Sequence, residues 1–306
     1  MNNLQNSLDQ FYTKPEVATA CWKHFTDTLS TLNRSPSDLF FIEPAAGTGA
    51  FYKLLPQQRR FGIDLLPKCH DVERKNFFAV TNFPVVPKDT AVIGNPPFGK
   101  RGKLAIAFFN HAAALADLVA FIVPVNFRKF IVHKQLSTSM RFISRLPLPR
   151  DAFHLDTGKP YSVNTEFQIW TRLASTHTDM RQYERLPIYH QDFQIWQYNN
   201  TRNALKVFQN AFDFAVPCQG WQDYSRRETD EKQCERNKQW ILVKAKNAIV
   251  LRRLMEIDYE HLAQECATAV PGFRKGDLVK AYNESQKFRS ESRFRQSIQT
   301  VQADTA

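Results

Sequence analysis

The stretch Ala91-Val92-Ile93-Gly94-Asn95-Pro96-Pro97-Phe98-Gly99-Lys100 decides how this chain reads. Small and β-branched apolar residues run without a break into Gly94, the pattern of a buried strand that ends abruptly. Two prolines then hold φ near −65° and push residues 95 and 96 into extended geometry. Neither proline carries an N–H, so nearby carbonyls can point outward without a ladder partner. The Asn95 side-chain oxygen and the Pro96 carbonyl can accept hydrogen bonds from one exocyclic amine, and Phe98 offers a face to a flat base. Drawing both amine hydrogens out of the ring plane localises the nitrogen lone pair for attack on an electrophilic methyl. Asn-Pro also marks ordinary loops, so the neighbouring segments have to choose between a proline-stopped strand and a site.

Upstream, Leu39-Phe40-Phe41-Ile42-Glu43 is a short apolar strand closed by an acid. Pro44-Ala45-Ala46-Gly47-Thr48-Gly49-Ala50-Phe51 follows, then a helix-like Tyr52 to Leu55. Strand, small-residue turn and helix is the nucleotide-side geometry of an open α/β sheet, where ligands sit at the carboxyl end of the strands. Gly47 and Gly49 let the backbone approach a ligand closely. The spacing lacks the dinucleotide fingerprint and the Lys-Ser/Thr of a phosphate loop, which disfavours NAD and ATP. Phe61-Gly62-Ile63-Asp64 is a second strand closed by an acid, 17 residues beyond Gly47, and a carboxylate in that place commonly takes ribose hydroxyls. Asn76-Phe77-Phe78 ends or follows a third strand, beside the adenine ring of such a cofactor.

The strand carrying Asn95 is then the fourth. Leu104 to Leu118 reads as a helix and Leu118 to Val123 as a fully buried fifth strand. Segments 150–155 and 166–172 are expected to close the sheet as an antiparallel pair around the turn Asp156-Thr157-Gly158-Lys159. At the start, Asp9 or Thr13 caps a helix opened by Pro15, with Val17, Ala20, Cys21, His24 and Phe25 at helical spacing.

Taken together these segments resemble a known family. Asp9-Gln10-Phe11-Tyr12-Thr13, Glu43-Pro44-Ala45-Ala46-Gly47-Thr48-Gly49, Gly62-Ile63-Asp64, Asn95-Pro96-Pro97-Phe98-Gly99 and Phe167-Gln168-Ile169-Trp170 fall in the order of the class I, S-adenosylmethionine-dependent adenine-N6 DNA methyltransferases of the γ type. Within that family the chain looks closest to small solitary DNA methylases of bacteria and their phages, some of which serve restriction-modification. The resemblance covers roughly residues 8–172. It implies a Rossmann-like seven-stranded α/β sheet with helices on both faces, S-adenosylmethionine as cofactor and adenine N6 in DNA as methyl acceptor, reached by base flipping.

Carried over by motif, Asn95, Pro96, Pro97 and Phe98 are catalytic. Phe11, Tyr12 and Thr13 close over the methionine end of the cofactor, Glu43, Ala45 and Gly47 line its amino-acid portion, and Asp64 meets its ribose. Asn95 also borders the cofactor, and Asn76-Phe77 stands where the family has Asp-Phe at the adenine. Val163-Asn164-Thr165 replaces the family's Val-Pro-Cys, which leaves Tyr161 and Phe167 as candidates for a second stacking face. RNA adenosine methylation, glutamine methylation of a protein, and a catalytically inactive partner subunit are the alternatives the same motif allows.

Charge agrees with a polyanionic partner: 41 Lys and Arg stand against 30 Asp and Glu, a net +11 over 306 residues. Five widely spaced cysteines, with no zinc-ligand spacing, read as reduced thiols of a cytoplasmic protein, and no metal site is expected. No run of 18 apolar residues and no signal-like N-terminus suggests a membrane. Residues 1–172 are expected to form the cofactor-binding and catalytic domain. Residues 173–285 form a smaller, mainly helical region for target recognition, and 286–306 a basic, polar, disordered tail. Within that region Lys238 to Arg253 reads as one helix, with Trp240, Val243, Leu251 and Leu254 inward and Lys244, Lys246, Arg252 and Arg253 outward toward phosphates.

Overall fold

The computed structural model describes residues 11–81, 89–173 and 176–286; Asp9 and all of the expected tail but its first residue, which ends a helix, lie outside them. The chain divides into two compact units between Glu184 and Arg185.

The first unit opens with strand β1 (Phe11–Thr13) and helix α1 (Pro15–Thr31). Pro15 does sit in the first turn, but the cap position is Lys14, without a side-chain bond. Thr13 is instead taken by the strand, pairing with Phe153. The helix buries Val17, Ala18, Cys21, Phe25 and Leu29, a face turned toward Ala18 rather than Ala20.

Strands β2 (Phe40–Glu43), β3 (Arg60–Asp64), β4 (Val72–Arg74), β5 (Thr90–Gly94) and β6 (Leu118–Pro124) follow, with helix α2 (Lys103–Leu115) between the last two. The segment after Phe51 makes only a 3-10 turn, Tyr52–Leu54. A one-turn helix α3 (Phe130–His133) leads to β7 (Arg141–Pro147), β8 (Phe153–Leu155), β9 (Pro160–Tyr161) and β10 (Thr165–Thr171).

The central sheet has seven strands in the order β4-β3-β2-β5-β6-β10-β7. The first five are parallel, and β10 runs antiparallel to both β6 and β7. From β2 the chain steps outward to β3 and β4 and then returns to β5 on the other side. The switch in winding therefore falls between β2 and β5, and a crevice opens there at the carboxyl ends of the strands. Every residue of β5, β6 and β10 is buried, as expected for strands covered on both faces.

The closing pair differs from expectation. Segment 141–147, not 150–155, is the partner of β10 and forms the sheet edge. Its apolar residues are interrupted by Arg141, Ser144 and Arg145, which an edge strand tolerates and a buried one would not. Segment 153–155 belongs to a small separate sheet, β1-β8-β9, whose hairpin does turn through Asp156–Lys159.

Residues beyond β10 stay with this unit. Buried Arg181 donates to the carbonyls of His133, Leu136, Ser137 and Met140, and Asp179 accepts from Phe142 N–H.

The second unit holds strands β11 (Phe193–Tyr198), β12 (Phe214–Gln219) and β13 (Gln239–Ala245), with helices α4 (Ala248–Met255), α5 (Tyr259–Cys266) and α6 (275–286). Helix outweighs strand, yet a three-stranded antiparallel sheet with β13 in the middle organises the unit. One face packs Phe214, Ile241 and Val243 on Val250, Leu254, Tyr259 and Tyr282; the other gathers Tyr198, Trp240 and Leu242.

This corrects the single helix expected over Lys238 to Arg253. A middle strand buried on both faces shows a continuous apolar run rather than alternation, which by periodicity cannot be told from a helix. The break comes at Asn247, whose side chain caps α4 by accepting from Val250 N–H at 3.0 Å.

The five cysteines form no disulfide. Among the described residues no helix is long and apolar enough to cross a membrane and no cluster of side chains could hold a metal.

Candidate active site

A cavity of about 330 Å³ opens at the carboxyl ends of β2, β3 and β5. That size suits a small organic molecule. Phe11, Tyr12, Thr13, Glu43, Ala45, Gly47, Asp64, Asn76, Phe77, Asn95, Pro96 and Pro97 all line it. Residues scattered over more than eighty positions are thus brought to one wall by the strand order. Leu65, Leu66, Lys75, Leu104 and Phe108 join them and were not foreseen. Their only sequence signal is a place just after a strand or on the first turns of a helix.

The turn after β2 is shaped for close approach. Gly47 (φ +53°) and Gly49 (φ +81°) take left-handed backbone, and side chains there would run into the Tyr12 ring and the Cys69 sulfur. Asp64 holds this turn: its Oδ2 accepts Gly47 N–H at 2.8 Å and its Oδ1 accepts Leu66 N–H at 2.8 Å. The carboxylate expected to meet a ribose therefore also ties the loop after β2 to the loop after β3. It keeps further acceptor sites facing the cavity.

Asn76 caps the 3-10 turn Phe77–Ala79, its Oδ1 accepting Phe78 N–H at 3.0 Å. One lone pair of that oxygen is thereby spent before any ligand arrives. Phe77 is buried against Phe108 (ring centroids 5.3 Å) and closes the side of the cavity.

Two acceptors at the cavity are unspent. Asn95 Oδ1 and Glu43 Oε2 are buried and have no hydrogen-bond partner. Each such atom costs about 1–3 kcal/mol until something donates to it. Full burial pushes the Glu43 carboxyl well above the usual carboxylate range; a hydrogen bond from the Tyr52 backbone opposes this, and nearby Asp64 adds to it.

Phe98 stands apart from the rest. It is buried and does not line the cavity; its ring packs on Phe11 (4.9 Å) and edge-on to Phe153 (6.4 Å). The free aromatic face expected there is covered by Phe11, because β1 pairs with β8 and carries Phe11 over the motif. Of the two further aromatics, Phe167 is fully buried and stacked on Phe51. Tyr161 is 37% exposed and stacked on Phe11 at 4.9 Å.

No family model and no curated protein matches the sequence. Solved structures align to it at low identity. A candidate RNA methyltransferase from Pyrococcus horikoshii is 16% identical over 56% of this chain and 91% of its own, with a TM-score of 0.41. The 23S rRNA methyltransferase ErmE is 13% identical over 55% and 71%, at 0.37. The M protein of the type I restriction enzyme EcoKI is 13% identical over 94% and 73%, at 0.36. By its own strand order and winding the first unit is a Rossmann-like seven-stranded α/β sheet, helices on both faces, followed by a smaller unit richer in helix than strand.

Proposed function

We propose that the protein transfers a methyl group from S-adenosylmethionine to the N6 amine of adenine in DNA. The observation that carries this reading is Asn95: a buried, unpartnered amide oxygen on the cavity wall, at the strand end beside the winding switch, followed by Pro96 on the same wall. Such a pair fits an exocyclic amine.

The residues of the cavity fit the cofactor. Glu43 offers an unspent acceptor to a cationic amino group, the Gly47–Gly49 turn leaves room for backbone approach, and Asp64 can accept from ribose hydroxyls. The bound cofactor supplies an electrophilic methyl. Asn95 and Pro96 would accept hydrogen bonds from the amine and fix its nitrogen in line with that methyl; as the methyl leaves sulfur for nitrogen, the surplus amine proton passes to water, so that catalysis is chiefly alignment. The base has to leave its stack first, at a cost of a few kcal/mol. Phe98 meets it only if Phe11 moves aside.

The test is incubation of DNA and, separately, structured RNA with methyl-labelled cofactor, followed by digestion to nucleosides. Label in N6-methyladenine from DNA is the expected result. Label from RNA alone would exchange one polymer for the other, and no labelled N6-methyladenine from either would overturn the reading.

Two further outcomes follow from the same site. Asp64→Ala is expected to weaken S-adenosylmethionine about ten- to a hundredfold, the loss of hydrogen bonds to a charged acceptor at roughly 1.5–3 kcal/mol. Because Asp64 also ties two loops, amide exchange at Gly47 and Leu66 should quicken in the same variant. Unchanged affinity by calorimetry would remove Asp64 from the site. For the second unit, a chain ending at Glu184 should keep cofactor affinity and bind an oligonucleotide at least tenfold more weakly than the whole. Binding by the whole chain should fall steeply with salt, because counterions are released. A shortened chain that binds DNA as well as the whole would take target recognition away from the second unit.

A further inference from the structure

Glu166, the second residue of β10, is fully buried with both oxygens of its carboxylate engaged. Oε2 accepts from Arg128 Nε at 2.6 Å and from Arg145 Nη1 at 3.3 Å. Oε1 accepts from Gln168 Nε2 at 2.6 Å, and Gln168 in turn accepts from Trp170 Nε1 at 2.9 Å. The two arginines come from separate elements, the turn after β6 and the edge strand β7. Meeting at one oxygen, their guanidinium groups stand side by side.

One carboxylate cannot cancel two such charges, and a net positive charge remains at this edge of the sheet. A buried ion pair contributes little net stability compared with apolar residues of the same volume. What this one does is hold two guanidinium groups, whose side chains are 24% and 41% exposed, in one orientation. Arg128 spends only Nε on Glu166 and keeps both terminal amino groups. Fixed forks of this kind match the oxygens of a phosphate.

The position is next to the cavity. Glu166 pairs with Val123 on β6, two residues past Phe121, which pairs with Gly94. Two strand spacings separate β10 from β5, so the backbone at Glu166 lies about 10 Å across the sheet from the strand that ends at Gly94. The turn that follows the Asn95 motif rests on the segment before Arg128, with Gly102 against Asn126 and Phe127. It exposes Lys100, Arg101 and Lys103, and none of these has an ion-pair partner among the described residues. In the second unit the basic residues are often already engaged: Lys244 by Asp213, Lys238 by Glu235, and Arg226 by Glu228 and Glu235.

We propose that Arg128 and Arg145, positioned by Glu166, clamp a backbone phosphate of the strand whose base enters the Asn95 cavity. This rests on the nucleic-acid reading above and gives the first unit its own grip on the substrate.

The experiment measures binding of an adenine-containing oligonucleotide to the full chain across a salt series, for the wild type, Arg128→Gln, Arg145→Gln and Arg145→Lys. Each Gln variant should weaken binding and make the slope of log affinity against log salt shallower, by no more than the roughly 0.7–0.9 of one phosphate contact on single- or double-stranded nucleic acid. Arg145→Lys should restore the slope while recovering only part of the affinity, because the charge returns without the fork. Cofactor affinity should not move. Gln variants that bind with the wild-type slope and only melt at lower temperature would make the cluster a tie between strands and overturn the clamp alone. A full chain that binds no nucleic acid at any salt would overturn the clamp and the nucleic-acid reading together.

Discussion

Asn95→Ala is expected to slow single-turnover methyl transfer to an adenine-containing oligonucleotide by about 10²- to 10³-fold, the usual loss when one preorganised hydrogen-bonding group is removed from a transition state. Cofactor and oligonucleotide affinities should stay near wild type. The structure sharpens that expectation, because Asn95 Oδ1 has no partner in the protein. Removing it breaks no internal bond and relieves an unsatisfied buried acceptor, so the melting temperature should hold or rise. A loss confined to the chemical step, in a protein at least as stable, separates a reactive amide from a structural one. Transfer at the wild-type rate would mean that the Asn95 amide takes no part in the chemistry, and the assignment of this motif as the catalytic site would fall.

Glu43→Gln is expected to move stability and cofactor affinity in opposite directions. Burial favours the neutral form of Glu43 in the folded protein, so its folded pKa lies above its unfolded one. For an acid shifted upward, no penalty exists at pH below the unfolded value of about 4.3. The penalty sets in above that pH and grows until the pH passes the raised value, after which it is constant. Gln does not titrate, so the variant should melt higher than the wild type near and above neutral pH, with the difference vanishing toward pH 4.

Binding of a cationic amino group favours the charged carboxylate. Wild-type affinity for S-adenosylmethionine should therefore rise with pH through the same window, with release of a proton. Glu43→Gln should bind roughly a hundredfold more weakly and without that pH dependence, near the upper end for a hydrogen bond to a charged group. Calorimetry in buffers of different ionisation enthalpy measures the proton directly. A variant that keeps wild-type affinity would leave Glu43 as a buried core acid with no part in binding.

How far the fold could be read from residues alone depended on local pattern. Strands β2, β3, β5 and β6 were legible because each is a short apolar run ended by Glu43, Asp64, Gly94 or Pro124. The edge strand β7 was not, since Arg141, Ser144 and Arg145 break its pattern where one side of the ladder lies open. Strand β13 was misread for the opposite reason: Trp240, Ile241, Leu242 and Val243 are all inward, and only cores on both faces explain that.

The same division runs through the site. Glu43, Gly47, Asp64 and Asn95 announce themselves by residue type at a strand end, where backbone geometry alone limits what can stand. Tertiary structure alone decided that Phe98 is covered by Phe11, that Asp64 binds the backbone of its own loops, and that Glu166 draws Arg128 and Arg145 together. Each of these joins residues far apart in the chain through strand pairing, and their contact is set by register and burial, which local sequence does not encode.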